Sequence, residues 1–145
     1  MTKRSAVRGT GKGLRDEDYV ALASFRLALR SFQSFSEEAA RAAGLTAQQH
    51  QAILAIRGLA PSQGMSINDL AERLIVKPQS AVELADRLEL AGLVNRSRAS
   101  DDRRRVHLRL TPKAEEILAD LSTAHLEQIR REAPHLIKLL AAMSK

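Results

Sequence analysis

The chain has 145 residues, 44% hydrophobic and 28% charged, which fits one soluble globular domain with a single core and excludes a chain disordered along its bulk. Aromatic residues make up 3% and tryptophan is absent, so the core must be built from Leu, Ile, Val and Ala, which favours helices. The absence of cysteine excludes a disulfide scaffold, a thiolate zinc site and thiol redox sensing, while a net charge of +6 predicts a polyanionic partner, nucleic acid or an anionic membrane surface. Residues 1–15 are rich in glycine and basic side chains (Lys3, Arg4, Arg8, Lys12, Arg15) and read as a mobile arm with no assigned role. No apolar stretch of signal-peptide or membrane-spanning length follows, so a cytoplasmic protein without membrane contact is expected.

From Asp16 onward, Phe25, Ala28, Phe32, Phe35, Ala39 and Ala42 recur at steps of three or four, predicting a long helix that ends near Gly44. Val20, Leu22, Leu27 and Leu29 lie off that stripe, so the early helix is apolar around much of its circumference and needs two packing partners. Thr46 with Gln49 forms a capping box for a second helix, whose buried side is Ile53, Leu54 and Ile56 and which closes at the turn residues 60–64. Ser66 caps a short helix with Leu70, Ala71 and Leu74 inward, and Lys77 and Pro78 are expected to break it. Pro78 then suits the first turn of a further helix with Ala81, Leu84, Ala85 and Leu88 inward and Gly92 as its left-handed stop. Two short helices around a tight break outline a helix-turn-helix.

Leu93 and Val94, with the alternation Val106, His107, Leu108, Arg109, Leu110, predict a β-hairpin directly after these helices, and so a winged helix. Thr111 and Pro112 start a helix carrying Ile117, Leu118, Leu121 and Ile129. Pro134 is expected to interrupt it and to begin a last short helix with Leu136, Ile137, Leu140 and Met143.

The positive charge is local. Between Arg96 and Lys113 seven basic residues (Arg96, Arg98, Arg103, Arg104, Arg105, Arg109, Lys113) stand against Asp101 and Asp102, so this segment holds five of the net +6. Duplex DNA carries a negative charge about every 1.7 Å of its axis, and a narrow hairpin can carry an arginine into the minor groove. The aspartates have a separate use. An arginine on a loose loop loses rotamer entropy of about 2 kcal/mol on binding, and a carboxylate two residues away holds its guanidinium ready. Asp102 is therefore expected to orient Arg104, leaving Arg103 and Arg105 for phosphates; a merely solvated charged loop is the competing reading.

The segments LAERL, VKPQSAVELADRLELAGLVNR and DDRRRVHLRLT resemble the MarR family of bacterial winged helix-turn-helix transcriptional regulators, over nearly all of residues 17–143. The most specific positions are Asp102, Arg104, Leu108, Leu110 and Thr111, together with Asp86, Arg87, Leu88, Gly92, Leu93 and Val94. The resemblance implies a mainly α fold, with a winged helix-turn-helix DNA-binding region at 45–111 and dimerisation helices at 16–44 and 112–145. It also implies an obligate homodimer on a pseudo-palindromic operator, repression of a nearby gene, and release by a small aromatic or phenolic effector. On this reading Gln79 and Ser80 read bases, Lys77 and Arg87 meet phosphates, and Arg96 and Arg98 add to the DNA-facing charge. Glu83 departs from the basic or polar residue of many relatives; it accepts from a cytosine amino group or, as the favoured alternative, pairs with Arg87 one turn on.

The histidines, His50, His107, His125 and His135, have neither the helical spacing nor the cysteine partners of a zinc site, so no metal or cofactor is expected and surface or interface positions are. His50, with Phe32, is a candidate contact for an acidic or phenolic effector; the favoured alternative is a core-edge histidine bonded to a neighbour. No phosphate loop or nucleophile elbow occurs, so an enzyme is not expected. A basic nucleic-acid-binding protein without sequence preference is the reading that competes with a sequence-specific regulator.

Overall fold

The computed structural model describes residues 13–99 and 102–145, and the side chains at 98–105 fall outside what it describes, as do residues 1–12 of the basic arm. Among the described residues the elements in chain order are α1 (Asp16–Ala42), α2 (Ala47–Leu59), β1 (Met65–Ser66), α3 (Ile67–Leu74), α4 (Pro78–Leu90), β2 (Val94–Ala99), β3 (Asp102–Leu110) and α5 (Pro112–Met143).

Local side-chain chemistry sets most of these boundaries. Thr46 accepts from the Gln49 amide while the Gln49 side chain accepts from the Thr46 amide, closing the expected capping box of α2. Ser66 caps α3 through the Asp69 amide, and Pro78 occupies the first turn of α4, where a missing N–H costs nothing. Thr111 has two roles. Its hydroxyl donates to the Gly92 carbonyl at 2.6 Å and accepts from the Ala114 amide at 3.2 Å, so one residue caps α5 and ties it to the end of α4.

Three helices end alike. The Leu45 amide bonds to the Ala40 carbonyl, Val76 to Ala71 and Leu93 to Leu88, each bond spanning a residue at positive φ. At two of these stops that residue is glycine, Gly44 and Gly92; at the end of α3 it is Ile75, at φ 55° and ψ 49°. The break between α3 and α4 therefore lies at Ile75, ahead of the expected Lys77 and Pro78.

A second difference concerns Pro134. The expected interruption does not occur, and α5 runs 32 residues from Pro112 to Met143 with Pro134 inside it. Proline in a helix interior removes one backbone bond and costs about 3 kcal/mol. Good helix formers flank it, and residues on both sides of it, Ile129, Glu132, His135 and Leu136, line a groove shared with Ser24, Leu27 and Ala28 of α1.

The hairpin β2–β3 pairs Val94 with Leu110, Arg96 with Leu108 and Arg98 with Val106, and its register shifts between Arg98 and Ala99. The sequence did not reveal the third strand. β1 adds to the other edge of β3, Met65 opposite Leu108 and Ser66 opposite His107, giving the order β1-β3-β2. Gly64 makes this possible: at φ +78°, a Cβ there would stand 2.8 Å from the Leu108 carbonyl oxygen and 2.8 Å from Arg109 Cγ. His107 Nδ1 lies 3.1 Å from the Gln63 carbonyl and joins the same corner.

The largest fully buried side chains, Ile53, Ile56, Leu70, Leu88, Leu93, Val94 and Leu108, come from α2, α3, α4 and the sheet. Ala114, Leu118 and Leu121 of α5 complete this core. In α1 only Ala40 is buried.

Candidate nucleic-acid interface

The buried face of α4 holds Ala81, Leu84, Ala85 and Leu88, as its spacing predicts, and this fixes which side is turned outward. Lys77, Gln79, Ser80, Glu83 and Arg87 are all exposed, and Gln79, Glu83 and Arg87 lie one turn apart on one stripe. The structure thus brings together every helix residue proposed to meet DNA. The favoured Glu83–Arg87 pair is not formed, however: ion pairs among the described residues join Arg57 to Glu115, and Arg96 to Asp86 and to Glu89. Both Glu83 and Arg87 stay in water, where such a pair gains little over hydration.

Arg96 is placed differently from the free cation its charge suggested. Its guanidinium is bonded to Asp86, and its Nε stands 3.0 Å from Glu89. Asp86 and Glu89 sit one turn apart on α4, so Arg96 clamps the base of β2 to that helix. Nothing local in the sequence pairs Arg96 with Asp86 or Glu89, whereas its charge alone points to phosphate. Lys113, also counted in the basic segment, donates to the Ala91 carbonyl at 2.9 Å and neutralises the negative end of α4. The Asp102 brace on Arg104, and the side chains of Arg98, Arg103 and Arg105, lie outside the described side chains; the backbone places Asp102 at the start of β3, opposite Ala99.

A second polar cluster lies where α1, α2 and α5 meet. His50 and His125, expected at surfaces or interfaces, are both buried, His50 to 3% exposure. Their rings are 4.7 Å apart. His125 Nδ1 donates to the Leu121 carbonyl at 2.6 Å, and its Nε2 accepts from the Ser36 hydroxyl at 2.8 Å. Phe32 and Phe35 meet the same ring edge-on, at 5.9 and 5.3 Å between centroids. His50 and Phe32 are thus linked through His125. The alternative of a His50 bonded to a neighbour fails at Nδ1, which is buried without a partner. Burial, and secondarily the neighbouring His125, hold the His50 pKa below its ordinary 6.5. His125 and Ser36 were missed because nothing local links them to His50; only the packing of three helices does.

An outward helix braced to an antiparallel basic hairpin defines a winged-helix DNA-binding protein. The comparisons with known proteins agree. Residues 43–105 match the model of the MarR family. The HTH-type transcriptional regulator FarR of Neisseria gonorrhoeae is 35% identical over 111 residues, which cover 71% of this chain and 74% of that protein. Among solved structures, the MarR family regulator AbsC of Streptomyces coelicolor superposes with a TM-score of 0.73 at 22% identity, over 90% of this chain and 92% of that one. A mutant of Staphylococcus aureus MepR bound to an oligodeoxyribonucleotide gives 0.66 at 19% identity, over 87% and 98%. The chain belongs to the MarR family and is a DNA-binding transcriptional regulator. Among the described residues no helix is long and apolar enough to cross a membrane.

Proposed function

We propose that the protein acts in the cytoplasm as a homodimeric repressor on a pseudo-palindromic operator and releases it on binding a small aromatic or phenolic effector. The observation that carries this reading is the unfinished state of the helical ends. Along α1, Val20, Leu22, Leu27 and Leu29 are exposed, as are Leu126, Ile129, Ile137 and Leu140 on α5, although these residues are too apolar to favour water in such number. A second copy covers them, in the manner of a core cut in half, and its two-fold axis relates the two α4 helices.

In each half-site Gln79 and Ser80 read base edges, Lys77 and Arg87 hold phosphates, and Glu83, which forms no ion pair with Arg87, accepts from a cytosine amino group. Arg104, oriented by Asp102, enters the minor groove, with Arg98, Arg103 and Arg105 on the backbone. Arg96 contributes by holding wing to helix. For the effector, a groove of about 410 Å³ between α1 and α5 has Phe32 on its wall and adjoins the His50–His125 cluster, a size suited to a small organic molecule.

Selection of bound duplexes from a random pool tests this directly. Two inverted half-sites with centres about 34 Å apart, bound by one dimer, are expected. A single half-site bound by a monomer, or equal affinity for random duplex, overturns it.

A further inference from the structure

The buried His50–His125 pair is a polar feature that DNA binding does not use. It sits where α2, the first helix of the winged region, meets both long helices: His50 comes from α2, His125 from α5, and Ser36, Phe32 and Phe35 from α1. We infer that this pair makes the proton an effector of the regulator, so that acidification below neutrality loosens the seat of α2 on α1 and α5 and lowers affinity for operator DNA. The inference deepens the effector reading above, and rests on it only for the location of the responsive site.

Geometry supplies the argument. Both nitrogens of His125 are occupied in its neutral form, by the Leu121 carbonyl and the Ser36 hydroxyl, and His50 Nδ1 faces no partner. A proton added to His50 Nδ1 would therefore be a buried donor without an acceptor, 4.7 Å from a second imidazole. Nothing nearby compensates. The titratable group that acts on His50 is His125 of α5; the α1 side chains that meet His125, namely Ser36, Phe32 and Phe35, carry no charge; and among the described residues neither imidazole forms an ion pair with a carboxylate.

The sign follows from burial. The packed form holds the His50 pKa below 6.5, so the packed state is fully favoured above pH 6.5 and loses that advantage as the pH falls beneath it. The direction is diagnostic, because added positive charge by itself would strengthen attachment to DNA. Loss of affinity on acidification would therefore report a disturbed seat of α2 and not the added charge.

The test uses the full chain and a duplex recovered by selection with the wild-type protein at about pH 7.5. Affinity is measured down to about pH 5.5 for wild type, His50→Phe and His107→Gln, the last controlling for the wing histidine, and a fall of at least about tenfold is expected in wild type and His107→Gln. His50→Phe is expected to bind with a nearly flat profile. An identical fall in His50→Phe, or an affinity that rises with acid through His50, overturns the inference. Should His50→Phe not fold, the ring-nitrogen NMR titration of wild type decides: a midpoint for His50 at or above the ordinary histidine value sinks it. Failure to bind any duplex at neutral pH would instead count against the DNA reading, and the NMR titration would still report on the pair.

Discussion

Among the described residues every buried apolar side chain except Ala40 lies between Leu45 and Leu121, whereas Leu27 near one end of the chain and Ile137 near the other remain 65% and 66% exposed. The winged region is finished within one chain, its helices, sheet and the first half of α5 burying one another. The ends are long helices that touch but bury almost nothing alone. Helices of 27 and 32 residues form readily enough from local bonds, but lone helices are marginal without tertiary burial. One region is therefore complete in its own burial, and the other, on the proposed homodimer, would draw its stability from a second copy at a given concentration.

The sharpest way to break this contrast is to charge the ends and leave the middle alone. In Leu27→Glu/Ile137→Glu both new carboxylates stay in water in a single chain, yet an apolar interface would have to bury them, at several kcal/mol each. The dimer dissociation constant is expected to rise by at least about a thousandfold, with operator affinity lost alongside. Sedimentation and a melting curve check it. A dimer of unchanged strength would mean that this face is not the interface.

The complementary change empties the middle. Leu88→Ala removes a fully buried side chain from α4 and is expected to cost about 2–5 kcal/mol, read as a lower denaturant midpoint. The melting of wild type should depend on protein concentration through its ends; in Leu88→Ala that dependence persists while the whole curve moves down. A loss under about 1 kcal/mol would show that the winged core is looser than its burial implies.

Within the winged region itself, two arginines separate contact from support. Arg104→Ala is expected to weaken operator binding about tenfold to a hundredfold at an unchanged melting temperature, and to flatten the salt dependence, since a phosphate or groove contact is lost. Arg96→Gln opens the clamp to Asp86 and Glu89. As that side chain is 30% exposed and its partners more so, stability should fall by no more than about 1 kcal/mol. Operator affinity should drop severalfold with the salt slope intact, because the wing is misplaced but no phosphate contact is removed. A reduced salt slope in Arg96→Gln would return this residue to the DNA surface.

These contrasts also explain what was legible in the sequence. Thr46, Ser66, Pro78, Gly92 and Thr111 act on backbone within a few residues of themselves, so the starts of α2 to α5 and the stop of α4 could be read off directly, whereas the stop of α3 at Ile75 carries no such residue. The inward set of α4 was equally plain, since its period is local. The two-residue strand β1 was not, because it exists only through its pairing with β3 and the space that Gly64 leaves. Pro134 misled for the opposite reason: the local rule against interior proline is one unfavourable position among many good helix formers, and α5 runs on through it. The partners of Arg96 and of His50 are side chains brought near by tertiary structure alone, and charge or residue type gave each a more obvious but different role.

The smallest expected effect concerns a strained helix stop in the otherwise self-sufficient region. Ile75 holds the left-handed position that Gly44 and Gly92 occupy at the other two helix ends of the same pattern, and its side chain is 91% exposed. A β-branched residue in that conformation costs about 1–2 kcal/mol, and exposure means that no packing offsets it. Ile75→Gly removes the strain but adds freedom to the unfolded chain worth about 0.5–1 kcal/mol, so the net gain should be about 0.5–1 kcal/mol, or a rise of a few degrees in Tm. Operator affinity separates two outcomes. If it is unchanged, Ile75 is only a strained linker between α3 and α4. If it falls while Tm rises, the isoleucine is retained for contact with DNA, and the winged region has given up stability at the turn to place an apolar side chain beside its recognition helix.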